Sequence, residues 1–276
     1  MRAPLLLNSP HSGRAYPSGF IAASKLDALT LRRSEDAYVD ELLKPATQRG
    51  VPMMHVLFPR AFLDVNREPY ELDPRMFSGR LPPFANTRSV RVAGGLGTIA
   101  RIVADAKEIY AAPLCVNKAL NRIETYHKPY HRALKSLLHK VRHRFGHVVM
   151  IDCHSMPSVM RGTSEKTKAD FVLGDRYGTS CAPGILDVAH KTLESFGYRV
   201  ARNKPYAGGY ITEHYGAPAQ GYHVLQLEVN RALYLDEQAC EKTDGFDVLA
   251  RRLGQLVEAL LVHLDTALDE KPMAAE

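Results

Sequence analysis

A chain of 276 residues, 45% hydrophobic and 24% charged, has ample apolar content for a packed core, and no linker, repeat or low-complexity tract divides it; one domain over 1–276 is expected. The net charge of +6 is modest and suits an anionic small molecule as well as a nucleic acid. Cys115, Cys153, Cys181 and Cys240 stand singly, which argues against a structural zinc knot and fits a reducing cytoplasm, and Leu5, Leu6 and Leu7 are too short a run for a signal peptide or a membrane span.

In chain order, residues 4–7 form a short apolar strand, followed by a Pro/Gly/Ser loop over 8–20. Ser34 is placed to cap a helix running through Asp36 and Leu43 to about Gln48, with Gly50 ending it. Residues 53–57 read as a second strand. The segment 60–67 follows, then a proline-rich irregular region to Asn86 and a glycine turn over 94–98. A long helical region spans 112–144, kinked or divided at Pro129. Strands are expected over 148–152, 171–173 and 224–229, with a helix over 185–196 and a turn at Gly208 and Gly209. An amphipathic helix over 246–268 closes the chain, with Leu249, Leu253, Val257, Leu260 and Leu261 at helical spacing. Strands alternating with helices imply an α/β sheet with ligand groups gathered at strand ends.

Three ionisable side chains stand at the ends of these apolar runs: His11, His154 and Glu228. A group so placed is costly to desolvate unless it has a metal, a partner or a catalytic task. Zinc accepts imidazole and carboxylate ligands, and a catalytic site takes three of them while leaving a position for water. His11 and His154 supply two. The third is Glu35, on the helical face of Val39, Leu42 and Ala46, or Asp36, on the flank with Asp40; either acid can equally complement a helix dipole. Glu228 is the natural general base, with a buried ion pair to Arg231 as the alternative. Asn66 and Arg67 form an adjacent amide and guanidinium suited to a substrate carboxylate, and Arg60 suits an oxyanion.

A basic stretch competes for attention. Residues 118–144 carry eight Lys or Arg with Tyr126 and Tyr130 among them, the composition of a phosphate-binding helix. Leu120, Ile123, Leu134, Leu137, Leu138 and Val141 give it an apolar face, so the charges read as a solvated one and no nucleic-acid partner is expected.

Taken in order with Asp36 to Asp40, Pro129 to His131, Gly174 and Asp175, and Gly208 to Tyr210, these motifs resemble the N-formylglutamate amidohydrolase family over roughly residues 5–237. That family is a distant relative of zinc carboxypeptidases and aspartoacylases. The resemblance implies a phosphorylase/hydrolase-like α/β fold, a central mixed sheet flanked by helices. It implies metal-dependent hydrolysis of a small anionic N-acyl amino acid, most specifically N-formyl-L-glutamate to L-glutamate and formate. A peptidase or a deacylase for another acyl group is the alternative on the same scaffold. His11 and His154 match the metal ligands, and Asp36 matches the family's aspartate better than Glu35 does. Glu228 matches the base and Arg60 the oxyanion arginine, while Asn66 and Arg67, joined by Arg231, are expected to hold substrate carboxylates. Zinc is the implied metal; manganese, iron or cobalt suits the same ligands. One departure matters: the relatives carry their first histidine in H-x-x-E, but Arg14 takes the glutamate's place here. Tyr130 and His131 are either pocket residues or packed ones, and Asp175 either orients a ligand histidine or caps a turn.

Overall fold

Runs of branched apolar residues build the middle of the sheet, where both faces are covered and each strand must be apolar on both sides. The computed structural model describes residues 3–103, 106–159, 165 and 167–269. Its strands are β1 (Leu5–Ser9), β2 (Met53–His55), β3 (Phe77–Ser78), β4 (Leu114–Cys115), β5 (Val148–Met156), β6 (Phe171–Gly174), β7 (Val200–Arg202), β8 (Tyr222–Asn230), β9 (Leu235–Asp236) and β10 (Glu241–Lys242). Six of them form one sheet in the order β2-β1-β5-β8-β6-β7. Neighbours are parallel except β6 against β8, so the sheet is mixed, as expected.

The helices are α1 (Ser18–Ala23), α2 (Ala28–Arg32), α3 (Val39–Leu42), α4 (Lys44–Gln48), α5 (Val90–Ala93), α6 (Val116–Arg122), α7 (Lys128–Phe145), α8 (Pro183–Ser195), α9 (Tyr210–Tyr215) and α10 (Gly245–Asp269). On one face of the sheet Leu5, Leu7, Val149, Ile151, Leu225 and Leu227 share a core with α8 and α10. On the other, Leu6, Val148, Met150 and Val224 share one with Leu134, Leu138 and Val141 of α7. The lysines and arginines of α7 lie outside that stripe. Among the described residues no helix is long and apolar enough to cross a membrane.

The second face changes character along the strands. Met150 gives way to Asp152 and His154 on β5, and Val224 to Gln226 and Glu228 on β8. In register, Asn8 lies beside Asp152, Asp152 beside Gln226, and His154 beside Glu228. Strand alternation therefore turns all five toward the same side, near the carboxyl ends of parallel strands, where open α/β sheets hold ligands.

Several boundaries differ from the sequence reading. The helix expected over 34–48 starts only at Val39. Ser34 Oγ donates to Leu31 O instead of capping it, Asp36 N donates to His11 O at 3.0 Å, and Tyr38 adopts a left-handed φ of 61°. Residues 34–38 are thus docked as a loop on the segment after β1, which leaves Asp36 outside any helix. Strand β5 runs on through His154 to Met156 rather than ending at Asp152, because pairing with central neighbours overrides local polarity, while β8 contains Glu228 as expected. The region expected as a helix over 112–144 is α6, a π-helical turn (Ile123–His127) and α7. Pro129 sits in the first turn of α7, where its missing N–H costs least. The short elements β7 and α9 lack the length for a periodic signal.

The loop carrying His11 is pinned at Gly13, where an added Cβ would lie 2.2 Å from Phe58 O. Gly13→Ala is expected to destabilise the fold by about 1–3 kcal/mol in urea unfolding. Gly19→Ala, with nothing within 4 Å of its Cβ, should show no loss.

Candidate metal centre and active site

Three acceptor atoms converge from three different segments. His11 Nδ1, on the loop after β1, lies 3.2 Å from Asp36 Oδ2 and 3.1 Å from His154 Nδ1. His154 Nδ1, from β5, lies 3.1 Å from the same Asp36 oxygen. All three residues are buried. Glu35 is turned the other way, taking the Tyr16 hydroxyl at 2.7 Å and Arg32 Nε at 3.5 Å. Arg14, standing where relatives have a glutamate, pairs with Asp40 and Glu41 near the surface.

The outer nitrogens of both imidazoles face carboxylates. His11 Nε2 lies 2.7 Å from Asp64 Oδ1, and His154 Nε2 lies 3.1 Å from Asp152 Oδ2. Asp64 is itself fixed by Asn66 N at 2.8 Å and by Arg60 Nη2 at 2.9 Å. Asn8 Nδ2 donates to Asp152 Oδ1 at 2.8 Å, and the Tyr130 hydroxyl donates to Asn8 Oδ1 at 2.8 Å. If Nε2–H is donated outward and a metal takes the place of any proton on Nδ1, each imidazole turns its Nδ1 lone pair toward the other and toward Asp36. Such a cluster of acceptors is repulsive unless a cation lies among them. Two imidazoles and a carboxylate, each oriented by an outer hydrogen bond, are the donor set of a catalytic divalent metal, and the residues fit it.

Charge shifts follow the same logic. Burial opposes ionisation of Asp36, but His11, His154 and Arg60 outweigh it and hold the carboxyl well below its usual range. Asp64 is likewise held low against burial by Arg67, His11 and Arg60. Burial disfavours a charged His154, yet Asp152, Asp36 and Glu228 raise its pKa well above the usual value. The negative charge that would retain a proton there would equally favour a metal ion, and the two would compete.

Glu228 has the opposite environment. Burial pushes its pKa up to about 7, with Asp36 and Asp152 adding to the rise and His154 and Arg60 opposing it. Gln226 Nε2 donates to Glu228 Oε1 at 3.0 Å, and Gln226 Oε1 accepts from Gly209 N at 2.8 Å. These residues line a cavity of about 350 Å³ that also admits Arg60, Asn66, Arg67, Arg91 and Arg231. Asn66 Oδ1 accepts from Ile211 N at 2.8 Å, and Gly209 must lack a Cβ because one would lie 2.4 Å from Asn66 Nδ2. Arg67 is anchored by Nε to Leu96 O at 2.8 Å and Nη1 to Asn66 O at 2.7 Å.

Arg231, expected among the carboxylate-binding groups, reaches the cavity but spends its donors on protein. Nη2 bonds Glu35 O at 2.7 Å and Asp36 Oδ1 at 3.2 Å, Nε bonds Ser155 Oγ at 3.0 Å, and Nη1 bonds Arg33 O at 3.2 Å. Its geometry is that of a clamp on Asp36. Tyr130 and His131 lie outside the cavity lining, His131 satisfying both nitrogens with Tyr215 and Val65 O. Asp175 bonds Asn203 and organises a turn, so the orienting carboxylates are Asp64 and Asp152 instead. Sequence reasoning assigned neither of these a role. The signal for Asp152 was present: two residues apart on a strand, it shares a face with His154.

The family model described as N-formylglutamate amidohydrolase matches residues 3–235. A crystal structure of N-formylglutamate amidohydrolase from Ralstonia eutropha JMP134 superposes with a TM-score of 0.87 at 34% identity, covering 96% of this chain and 95% of that one. The N-formylglutamate deformylase of Pseudomonas aeruginosa is 27% identical over 269 residues, covering 94% of this chain and 93% of its own length. That of Pseudomonas putida is 26% identical over 239 residues, covering 86% and 83%.

The outer carboxylates give a direct test of whether the triad holds a metal. Asp64→Asn and Asp152→Asn should each weaken zinc binding about 10- to 100-fold in calorimetric titration. His154→Ala should abolish binding at the site.

Proposed function

The chain belongs to the N-formylglutamate amidohydrolase family, and on that premise we propose that it hydrolyses N-formyl-L-glutamate to L-glutamate and formate. The observation that carries this reading is the meeting of His11 Nδ1, Asp36 Oδ2 and His154 Nδ1 within 3.2 Å of one another, in a cavity shared with Glu228 and several arginines. His11, Asp36 and His154 would hold a divalent cation; zinc suits two imidazoles and a carboxylate, and manganese, iron or cobalt is accepted by the same set. When bound, that cation supplies Lewis acidity for the acyl carbonyl and acidifies water.

The chain's own residues do the rest. Asn66 and Arg67, held rigid by Ile211 N, Leu96 O and Asn66 O, receive the substrate's α-carboxylate and fix the amide over Glu228. Glu228 accepts a proton from the attacking water and delivers it to the departing nitrogen, and the second water proton follows as the products separate, so water and amide become carboxylate and ammonium. Gln226 keeps Oε1 of that carboxylate oriented. Arg60, tethered by Asp64 at 2.9 Å, donates to the oxyanion that forms on the acyl carbon. Arg231 keeps Asp36 aimed inward.

Formate release from N-formyl-L-glutamate, followed with metal content, tests the proposal. Glu228→Gln should keep its metal and lose roughly 10²- to 10⁴-fold in kcat; unimpaired turnover would overturn the assignment. Activity also needs Glu228 ionised, so it is lost as pH falls through the pKa of that group. An acid limb of kcat/KM is therefore expected at or below about 7, because a bound cation favours the carboxylate further.

A further inference from the structure

The substrate proposed above carries two carboxylates, and four arginines line the cavity: Arg60, Arg67, Arg91 and Arg231. Arg231 is consumed by Asp36 and backbone carbonyls, and Arg60, tethered by Asp64 at 2.9 Å and with Asp36 at 3.8 Å, is given to the oxyanion in the reading above. Arg67 is anchored beside Asn66 and serves the α-carboxylate. That leaves Arg91, for which no established role exists in the reading so far.

Arg91 is placed by a local structure with little freedom. Ser89 caps the short helix α5, accepting from Val92 N at 3.1 Å, and Gly94 and Gly95 close its far end, Gly95 with φ of 75°. The chain then passes tightly over Glu71, since an added Cβ at Gly97 would lie 2.2 Å from Glu71 O. Glu71 Oε2 is buried without a hydrogen bond, and Arg91 Nη1 stands 4.0 Å from it, too far to satisfy it. The Arg91 side chain is 38% exposed and makes no hydrogen bond among the described residues. It is a guanidinium held over the cavity with its fork of donors unspent. Leu96, Ala100, Ile102 and Val103 line the same cavity and offer an apolar wall for methylene groups. A cation that shares its cavity with an apolar wall and with the anchored Arg67 matches a ligand with a short aliphatic side chain ending in a carboxylate.

We infer that Arg91 is the specificity-determining residue that receives the side-chain carboxylate of the substrate, selecting acidic N-formyl amino acids over neutral ones. The inference rests on the hydrolytic reading above and adds to it the group that reads the side chain.

Wild type, Arg91→Met and Arg91→Lys, each as purified, are compared on N-formyl-L-glutamate and its neutral isostere N-formyl-L-glutamine. The ratio of kcat/KM for the acid over the amide should drop about 100-fold in Arg91→Met, chiefly through KM for the acid, the scale of lost charge-assisted hydrogen bonds. Arg91→Lys should recover part of the ratio by restoring the charge without the fork. An unchanged ratio in Arg91→Met, including a parallel loss on both substrates, would overturn the inference. Calorimetric binding of the two compounds to Glu228→Gln, with and without Arg91→Met, separates this from the hydrolytic reading. Wild type that turns over neither compound defeats that reading alone. Arg91 keeps its role if Arg91→Met removes a preference for the dicarboxylate, and loses it if no preference exists or the preference survives.

Discussion

Two imidazole nitrogens and a carboxylate oxygen meeting at 3.1–3.2 Å are an arrangement that a protein must hold in place, with a proton or a metal cation among them to offset the repulsion of their lone pairs. The architecture around the centre serves that constraint. Parallel pairing of β1 with β5 brings Asn8 beside Asp152, and Asn8 then fixes the carboxylate that orients His154. The strained φ of 61° at Tyr38 lies two residues from Asp36, where the chain turns from its dock on His11 O into α3. Backbone strain of this sort persists where the surroundings over-determine it, as Arg231 and Ser155 do for Asp36 here.

The same cavity produces two kinds of carboxylate. Asp36 and Asp64 are surrounded by imidazoles and guanidinium groups and stay ionised despite burial. Glu228 receives an amide from Gln226 and lies near two other acids, so burial wins and its pKa rises to about 7. Pushing titratable neighbours apart in this way gives the proposed ligand and the proposed base different charge states without any change of side-chain chemistry. It also explains why so many arginines are present: each buried acid would otherwise be an uncompensated charge.

Much of this was legible in the sequence, for identifiable reasons. The apolar runs ending at His11, His154 and Glu228 marked costly polar positions, and sheet pairing gathers them. The choice between Glu35 and Asp36 was not legible, because it depends on whether residues 34–38 are helical. Local signals favoured a helix capped by Ser34; the tertiary bond from Asp36 N to His11 O settled it otherwise. Asp64 and Asp152 were visible as residues but not as partners, since their role exists only once the histidines they orient are in place. Arg231 was expected at the substrate, yet its donors are taken by groups nearly two hundred positions away, a contact that no spacing reveals.

The most direct test of the central claim is a zinc-edge anomalous difference map from crystals of the protein grown with stoichiometric zinc. One peak within bonding reach of His11 Nδ1, Asp36 Oδ2 and His154 Nδ1, about 2.0–2.2 Å from each, is the predicted result. A strong peak elsewhere with none at this triad, or a triad that stays unliganded while the crystalline protein still releases formate from N-formyl-L-glutamate, would contradict it.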